Sequence, residues 1–233
     1  METLILGIDD AGRGPIIGPM VLAGVLCTEK QEQDLKLEGV KDSKMLLPST
    51  REKLAKLVKK TVKDYYIHTA TPEEIDLSVG TKFNLNKLEA LKMAEAINEI
   101  LKKTDLKKNK VKIYIDCPSN NISEWKRELK KHIEKEIVNS ENVEIIAEHK
   151  ADVNHPSVSA ASILAKTTRD NEIECIKKRI GRDFGSGYPS DPITMEFLKE
   201  CSTQYEHDGI FRKSWMTWKN HNGEKRQKKL GEF

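Results

Sequence analysis

The chain has 233 residues, of which 37% are hydrophobic and 33% are charged, and its formal net charge is +3. This length is typical of one large globular domain, with or without a small appendage, whose core needs no disulfide or metal support. The four cysteines are far apart and lack zinc-ligand spacing, which is typical of free thiols in a reducing compartment. No apolar stretch approaches the length of a membrane span and the acidic start does not resemble a signal peptide, so we expect a cytoplasmic protein.

Apolar periodicity predicts strands that alternate with helices. The predicted strands cover residues 4–10, 19–27, 65–69, 111–116 and 143–149. The predicted helices cover residues 48–62, 86–103, 123–138, 155–180 and most of 191–220, with a short one after Thr71. The Gly/Pro turn between the first two strands is short, so we expect these strands to be antiparallel. The later alternation predicts an α/β fold with a mixed sheet, helices on both faces and a C-terminal helical appendage.

Acidic residues follow three of the predicted strands. Asp9 and Asp10 end the first strand, Asp116 ends the fourth, and Asp152 follows the fifth. If these strands are parallel, their carboxyl ends meet at one edge of the sheet, where ligands of open α/β sheets bind. Gathered carboxylates repel one another unless a cation lies among them, and oxygen-only ligands suit Mg²⁺ or Mn²⁺. Two such ions roughly 4 Å apart can activate water and stabilise the leaving oxygen of a phosphodiester.

Each acid taken alone also has a simpler explanation. Asp116 and Asp152 are both placed where a turn former or a helix cap is common. Dehalogenase-like phosphatases also have acids at strand ends, so the pattern by itself does not decide the reaction. The adjacent pair Asp9 and Asp10 is harder to explain as an ordinary solvated face, because neighbouring strand residues point to opposite sides.

A tight turn with the sequence Gly12-Arg13-Gly14 follows the first strand. Glycines allow the backbone to approach a ligand closely, and an arginine between them is typical of a phosphate or sugar contact.

The order of several motifs resembles the ribonuclease HII family (type 2 ribonuclease H) in its archaeal form. The matching segments are residues 7–15 (GIDDAGRGP), 41–44 (KDSK), 114–116 (YID), 147–152 (AEHKAD), 157–166 (SVSAASILAK) and 185–192 (GSGYPSDP). Together they span nearly the whole chain.

The resemblance implies a ribonuclease-H-like fold, with a five-stranded mixed sheet flanked by helices and a small helical C-terminal part. We expect a catalytic domain at residues 1–184, the helical part at 185–222 and a basic tail at 223–233. The implied activity is a metal-dependent endonuclease that hydrolyses the RNA strand of RNA/DNA hybrids. It would also cut 5′ of single ribonucleotides in duplex DNA, leaving 3′-hydroxyl and 5′-phosphate ends, as ribonucleotide excision repair requires.

The resemblance also assigns site residues. It implies that Asp9, Asp10, Asp116 and Asp152 bind two Mg²⁺ or Mn²⁺ ions when substrate is bound, with Asp9 bridging them. It further implies that certain residues bind substrate: Gly12, Arg13, Gly14 and Tyr188 at the ribose 2′-hydroxyl, and Lys44 and Lys150 at phosphates. The 2′-hydroxyl is the group that distinguishes RNA from DNA at a given position. Lys150 has a second explanation, which is neutralisation of the acids.

Asp10 departs from the family pattern, which has glutamate at this position. An aspartate is one methylene shorter, and a misplacement of about 1 Å can lower a rate on the order of 10²-fold. The alternative hypothesis is therefore a weakly active or inactive protein that binds hybrids and associates with the clamp. Within enzymes, the competing interpretation is a junction-specific ribonuclease-H-like nuclease, against which the Gly-Arg-Gly loop and its distant tyrosine argue.

The C-terminal end has two features. Between Arg212 and Lys229 there are seven Lys or Arg residues against one acid, with Trp215 and Trp218 interleaved. Two explanations fit this stretch equally well. Its basic residues contact the backbone of a nucleic-acid duplex, or it is a solvent-exposed basic end whose tryptophans pack as part of the last helix. The last residues resemble the peptide that binds DNA sliding clamps, with Gln227, Leu230 and Phe233 at its spacing. We therefore expect the clamp and ribonucleotide-containing duplexes as partners, no membrane, and a monomer.

Overall fold

The computed structural model describes residues 1–40, 46–79 and 83–222. Its five strands form one mixed sheet in the order β3-β2-β1-β4-β5. The strands are β1 (Glu2–Ala11), β2 (Met20–Thr28), β3 (Asp64–Ala70), β4 (Asn109–Asp116) and β5 (Val143–Glu148). The first helices along the chain are α1 (Glu29–Leu37), α2 (Pro48–Thr61), α3 (Pro72–Val79), α4 (Leu85–Leu101) and α5 (Ile122–His132). They are followed by α6 (Lys135–Val138), α7 (Ala151–Asn154), α8 (Pro156–Ile180) and α9 (Pro192–Cys201), and residues 216–222 are also helical.

The strand directions confirm the expected sheet. β1 and β2 are antiparallel, with Asp9 opposite Ala23. β1 is parallel to β4, and β4 is parallel to β5, with Asp116 opposite Glu148. The carboxyl ends of β1, β4 and β5 therefore lie along one edge of the sheet, which is where the sequence has its acids.

Two glycines allow helices to approach the two faces of the sheet. A Cβ on Gly7 would lie 2.2 Å from the carbonyl carbon of Ser157, so only glycine lets the start of α8 contact β1. A Cβ on Gly24 would lie 2.9 Å from Cδ1 of Ile100 in α4. Gly24 pairs with Ile8, the neighbour of Gly7, and successive strand residues point to opposite faces. Helix α8 thus covers one face of the sheet at β1 and α4 covers the other.

The chain divides into two units. The first contains residues 1–11, 21–69 and 86–168, and the second contains residues 12–20, 70–85 and 169–233. One apolar core of the first unit joins β2 to α8 and includes Val25, Ala161 and Leu164. The core of the second unit includes Ile17, Phe184, Phe211 and Trp218. The predicted domain boundaries after residues 184 and 222 remain predictions.

Several predicted helices need correction. The single helix expected at 123–138 is two helices, because the residue after α5, Ile133, adopts an extended conformation. A short helix, α7, precedes α8, and His155 between them is also extended. Helix α1 begins at a capping box made by Thr28 and Gln31, which sequence reasoning did not identify. Residues 202–209 are mostly turns rather than a continuation of α9.

The four cysteines are free thiols, in agreement with the expectation from their spacing. None of the helices in the described ranges is long and apolar enough to cross a bilayer.

Candidate active site

Three of the predicted acids come together in the first unit. Carboxylate oxygens of Asp9, Asp116 and Asp152 all lie within 4.8 Å of one another. Asp9 lies two residues before the end of β1, Asp116 ends the adjacent parallel strand β4, and Asp152 is in α7 just after β5. Asp9 and Asp152 are buried, at 5% and 1% exposure, and Asp116 is half-buried.

Hydrogen bonds orient the carboxylates of Asp9 and Asp116. The backbone N–H of Asp10 donates to Oδ1 of Asp9 at 2.7 Å, and Ser162 of α8 hydrogen-bonds the same carboxylate. The backbone N–H of Ala151 donates to Oδ1 of Asp116 at 3.2 Å. The residue before Ala151, Lys150, has φ of 59°, in the left-handed region that non-glycine residues rarely adopt. This bend connects β5 to α7, which carries Asp152, and such strained residues cluster at functional sites.

The electrostatics of the cluster suit a divalent cation. Burial raises the pKa of Asp9 well above its usual range, and the nearby charges of Asp10 and Asp116 raise it further, against the hydrogen bond from Ser162. Three ionised carboxylates this close repel one another in a medium of low dielectric constant. A cation with oxygen ligands removes that repulsion, and the absence of sulfur and nitrogen ligands from this donor set fits Mg²⁺ or Mn²⁺.

Asp10, the fourth predicted ligand, is not a member of this group of described residues. It follows Asp9 in β1, pairs with Leu22 and is half-buried. Because strand residues alternate, the side chain of Asp10 leaves the strand on the face opposite to that of Asp9. A role for Asp10 in metal binding remains a prediction.

The second unit brings together the predicted ribose-binding residues. The backbone N–H groups of Ile16 and Ile17 donate to the carbonyl of Gly187 at 2.8 and 3.2 Å, which ties the loop after Gly14 to the residue before Tyr188. A Cβ on Gly14 would lie 3.6 Å from Cε1 of Tyr188, so the Gly-Arg-Gly turn and the tyrosine ring are neighbours.

Sequence reasoning missed two arginines that hold these residues. The guanidinium of Arg169 lies over the Tyr188 ring, 5.1 Å from its centroid, and Nη2 donates to the carbonyl of Ser186. Arg212 is fully buried and donates to the carbonyls of Gly12 and Arg13. Its place in a Lys/Arg-rich stretch obscured this role, although its neighbour Phe211 is apolar and could have indicated burial.

The structure therefore corrects the interpretation of the segment after Arg212. Arg212 is not part of a solvent-facing basic stripe, and Trp218 packs against Phe211 with ring centroids 4.8 Å apart. The packing alternative is confirmed for Trp218. Lys150 is exposed, and its contact with phosphate remains a prediction. Lys44 and the clamp-binding positions Gln227, Leu230 and Phe233 lie outside the described residues.

Comparison with known proteins decides the family. The family model for ribonuclease HII matches residues 6–218. This chain belongs to the ribonuclease HII family. It is therefore a metal-dependent endoribonuclease of the ribonuclease H type, and its three-carboxylate cluster lies where the carboxyl ends of β1 and β4 meet.

Individual relatives agree over most of their length. Ribonuclease HII of Methanococcus maripaludis is 45% identical over 222 residues, which are 93% of this chain and 86% of that protein. The crystal structure of ribonuclease H2 from Pyrococcus horikoshii has a TM-score of 0.81 and 41% identity, covering 96% of this chain and 99% of that one. The ribonuclease HII in a complex with PCNA from Archaeoglobus fulgidus has a TM-score of 0.76 and 38% identity, with 93% and 94% coverage. These structures confirm the ribonuclease-H-like fold.

Proposed function

We propose that this chain hydrolyses the RNA strand of RNA/DNA hybrids and nicks duplex DNA on the 5′ side of a single ribonucleotide. The observation that carries the proposal is the group of carboxylates of Asp9, Asp116 and Asp152, whose oxygens lie within 4.8 Å of one another. A cation stabilises such a group in its ionised form, and divalent cations with oxygen ligands support phosphodiester hydrolysis. The products would carry 3′-hydroxyl and 5′-phosphate ends.

In this proposal the first unit carries out the chemistry. Asp9, Asp116 and Asp152 hold Mg²⁺ or Mn²⁺, and Asp10 contributes when a second ion binds with the substrate. Two bound ions would supply activation of the attacking water and stabilisation of the leaving 3′-oxygen. Ser162 keeps the Asp9 carboxylate oriented through its hydrogen bond, and Lys166 donates to Ser162 Oγ at 2.9 Å, which places an ammonium charge behind that contact.

The second unit carries ribose recognition. Gly12, Arg13 and Gly14 and the hydroxyl of Tyr188 would contact the 2′-hydroxyl and the adjacent phosphate. A site with polar groups that match a substrate hydroxyl rejects the analogue that lacks it, because those groups are then left unpaired. Lys150, and Lys44 outside the described residues, would contact phosphates on either side of the junction.

The experiment that tests this function uses a labelled DNA duplex with one internal ribonucleotide, incubated with the purified chain and Mg²⁺ or Mn²⁺. We expect a single nick on the 5′ side of the ribonucleotide, a 3′-hydroxyl end that a polymerase can extend, and no cleavage of the all-DNA duplex. Asp116→Asn should abolish the nick while leaving the circular dichroism spectrum unchanged. A nick at another position, or equal cleavage of the all-DNA duplex, would contradict the proposal.

The chain is also proposed to bind a DNA sliding clamp through residues Gln227, Leu230 and Phe233. The support is the motif at the end of the sequence together with the A. fulgidus relative, whose structure is a complex with PCNA. An aliphatic and an aromatic side chain three residues apart lie on one side of a single helical turn and can fill an apolar pocket.

A further inference from the structure

Arg212 is a buried cation that touches the ribose-recognition loop at three points. Its side chain has 0% exposure. Nε donates to the carbonyl of Gly18 at 2.9 Å, Nη1 to that of Arg13 at 2.9 Å, and Nη2 to that of Gly12 at 2.6 Å. One planar guanidinium thus binds both the start and the end of the loop that carries Arg13.

The surrounding backbone holds Arg212 itself in place. Its own N–H donates to the carbonyl of Ile16 at 2.9 Å, and the N–H of Gly18 donates to the carbonyl of Ile210 at 2.9 Å. Ile17 and Phe211 form an antiparallel bridge between these two hydrogen bonds. The segment around Arg212 is therefore a short extended partner strand for the loop, and the side chain of Arg212 reaches back along it to the Gly-Arg-Gly turn.

Two further contacts support the guanidinium and the turn that follows Arg212. It lies over the ring of Trp215, 5.0 Å from the centroid. The carboxylate of Asp76 in α3 accepts from the backbone N–H groups of Lys213 and Ser214 at 2.7 and 2.9 Å, which anchors the turn that follows. Buried charges are tolerated only when hydrogen bonds replace the lost water, and the loop carbonyls supply those bonds.

The geometry of this contact distinguishes arginine from lysine. Carbonyls that converge from separated positions of one loop need a planar donor with several N–H groups in fixed directions. A lysine ammonium is a point charge on a flexible stem and cannot bind the carbonyls of Gly12, Arg13 and Gly18 in this arrangement. Gly12 and Gly18 have φ of +79° and +91°, so the loop conformation that Arg212 binds is one that only glycine adopts readily at those positions.

We propose that Arg212 is a positioning residue for ribose recognition, which acts by holding the backbone of Gly12 and Arg13 in the conformation that presents Arg13 to the substrate. The inference rests on the proposed ribose-recognition role of the Gly-Arg-Gly turn. Arg212 is buried and touches no substrate in this scheme, and its effect on catalysis passes through Arg13.

The test compares Arg212→Lys with Arg179→Lys. Arg179 is the matched control, because it also belongs to the second unit and donates to a backbone carbonyl, that of Asp208, at 3.2 Å. Affinities for a duplex with one ribonucleotide and for the same all-DNA duplex are measured with Ca²⁺ in place of Mg²⁺, and kcat and KM are measured with Mg²⁺. We expect R212K to lower kcat/KM for the ribonucleotide duplex on the order of 10²-fold, since misplacement of about 1 Å has that effect. Affinity for the all-DNA duplex should not change, and R179K should resemble the wild type.

A double-mutant cycle separates this inference from the proposed function. If Arg212 acts through Arg13, the double variant should differ little from Arg13→Ala alone. We expect the added R212K substitution to lower the preference for the ribonucleotide duplex by less than a further factor of about 2, because the effects of interacting residues are not additive. Full additivity of the two substitutions would overturn the inference. If R13A leaves the preference for ribose unchanged, the proposed role of the Gly-Arg-Gly turn fails instead.

A second variant tests the role of Arg212 even if R212K does not fold. Trp215→Leu removes the ring under the guanidinium and leaves the hydrogen-bonding groups of Arg212 in place. We expect W215L to lower the ribose preference in the same direction as R212K, by roughly 5-fold, because cation–π contacts of this kind are individually weak. An unchanged preference in a folded W215L protein, judged by its thermal transition, would contradict the inference.

Discussion

At the scale of single residues, the carboxylate of Asp9 is buried, yet its proposed role in metal binding requires a negative charge. Its pKa is raised by burial and by the neighbouring acids, so the metal-free protein holds a proton there that the unfolded chain has already released. Between the ordinary pKa of aspartate and the raised value, the folded state binds more protons than the unfolded state. The free energy of unfolding of the metal-free protein therefore falls as the pH rises through that window.

The first prediction concerns Asp9→Asn. The amide cannot ionise, so the metal-free variant should have a higher Tm than the metal-free wild type, and the difference should grow as the pH rises. We expect a positive Tm difference that is small at pH 4 and largest at pH 8, because only the wild type loses stability as this carboxyl group ionises. Differential scanning calorimetry in EDTA between pH 4 and pH 8 measures the difference.

The control for this prediction is metal addition. Mg²⁺ or Mn²⁺ should raise the Tm of the wild type and change that of D9N much less, because a ligand that binds the folded state stabilises it. A wild-type Tm that does not respond to either metal would contradict the metal site.

The second prediction concerns Asp10→Glu, which introduces the residue that the family resemblance implies at this position. A glutamate reaches further by one methylene, so we expect kcat/KM with Mg²⁺ to rise by up to roughly 10²-fold, and by less with Mn²⁺. Asp34→Glu on the exposed face of α1 is the matched control and should have no effect. Equal activity of D10E and wild type in both metals would show that the shorter aspartate side chain already supports full activity.

At the scale of elements, the site depends on how closely α8 approaches β1. Asp9 receives its hydrogen bond from Ser162 of α8, and this contact requires the helix to pass directly over the strand. Gly7, on the same face of β1 as Asp9, makes that approach possible. Glycine in the interior of a strand lowers the intrinsic preference for β-structure. Here it is needed because a side chain at this position would leave no room for α8.

The third prediction compares Gly7→Ala with Gly24→Ala. The Cβ of G7A would meet backbone atoms of Ser157 and Val158 at 2.2 and 2.3 Å, which cannot move without displacing α8. The Cβ of G24A would meet the end of the Ile100 side chain at 2.9 Å, which can rotate. We expect G7A to lower the free energy of unfolding by about 3 kcal/mol or more and G24A by about 1 kcal/mol, in line with overpacked cores.

The measurement for this pair is chemical denaturation of both variants, followed by activity of the folded fraction. Because α8 carries Ser162, G7A should also lower kcat, whereas G24A should not. Equal stabilities of the two variants would contradict the close approach of α8 to β1.

At the scale of the whole molecule, the proposed metal chemistry and the proposed ribose recognition belong to different units. The carboxylates proposed to bind metal belong to the first unit, and the Gly-Arg-Gly loop, Tyr188 and Arg212 belong to the second. The chain passes from Ala11 directly into Gly12, so the end of β1 is followed at once by the loop proposed to recognise the ribose. The proposed clamp-binding peptide is a third functional segment at the end of the sequence.

The fourth prediction concerns that peptide. Leu230→Ala and Phe233→Ala should each weaken binding to the clamp of the same organism by about 30-fold, which corresponds to a loss of about 2 kcal/mol at a hot-spot residue. Lys228→Ala, between the motif positions, is the matched control and should bind normally. Surface plasmon resonance measures the affinity, and cleavage of short duplexes should be unchanged in all three variants. Unchanged affinity of F233A would rule out this peptide as the clamp-binding segment.

The amino-acid sequence by itself determined the sheet and predicted that four acids meet at its edge, of which Asp9, Asp116 and Asp152 form the group seen in the described residues. Strand periodicity and short turns are local properties, and residues at the carboxyl ends of parallel strands must share an edge. The juxtaposition of Asp9, Asp116 and Asp152 therefore follows from strand order and direction. Motif order then indicated the family, which the comparisons confirmed. The helix break at Ile133 was not predicted, because local apolar periodicity continues through it.

Only the tertiary structure decided which charged residues are buried and which groups they contact. Arg212 looks like the start of a basic tail in the sequence, yet it lies inside the second unit and binds carbonyls about 200 residues earlier in the chain. Asp10 looks equivalent to Asp9, yet only Asp9 belongs to the carboxylate group within the described residues. In both cases the reason is physical. The environment of a side chain depends on contacts between segments distant in sequence, and composition and periodicity report only on neighbours along the chain.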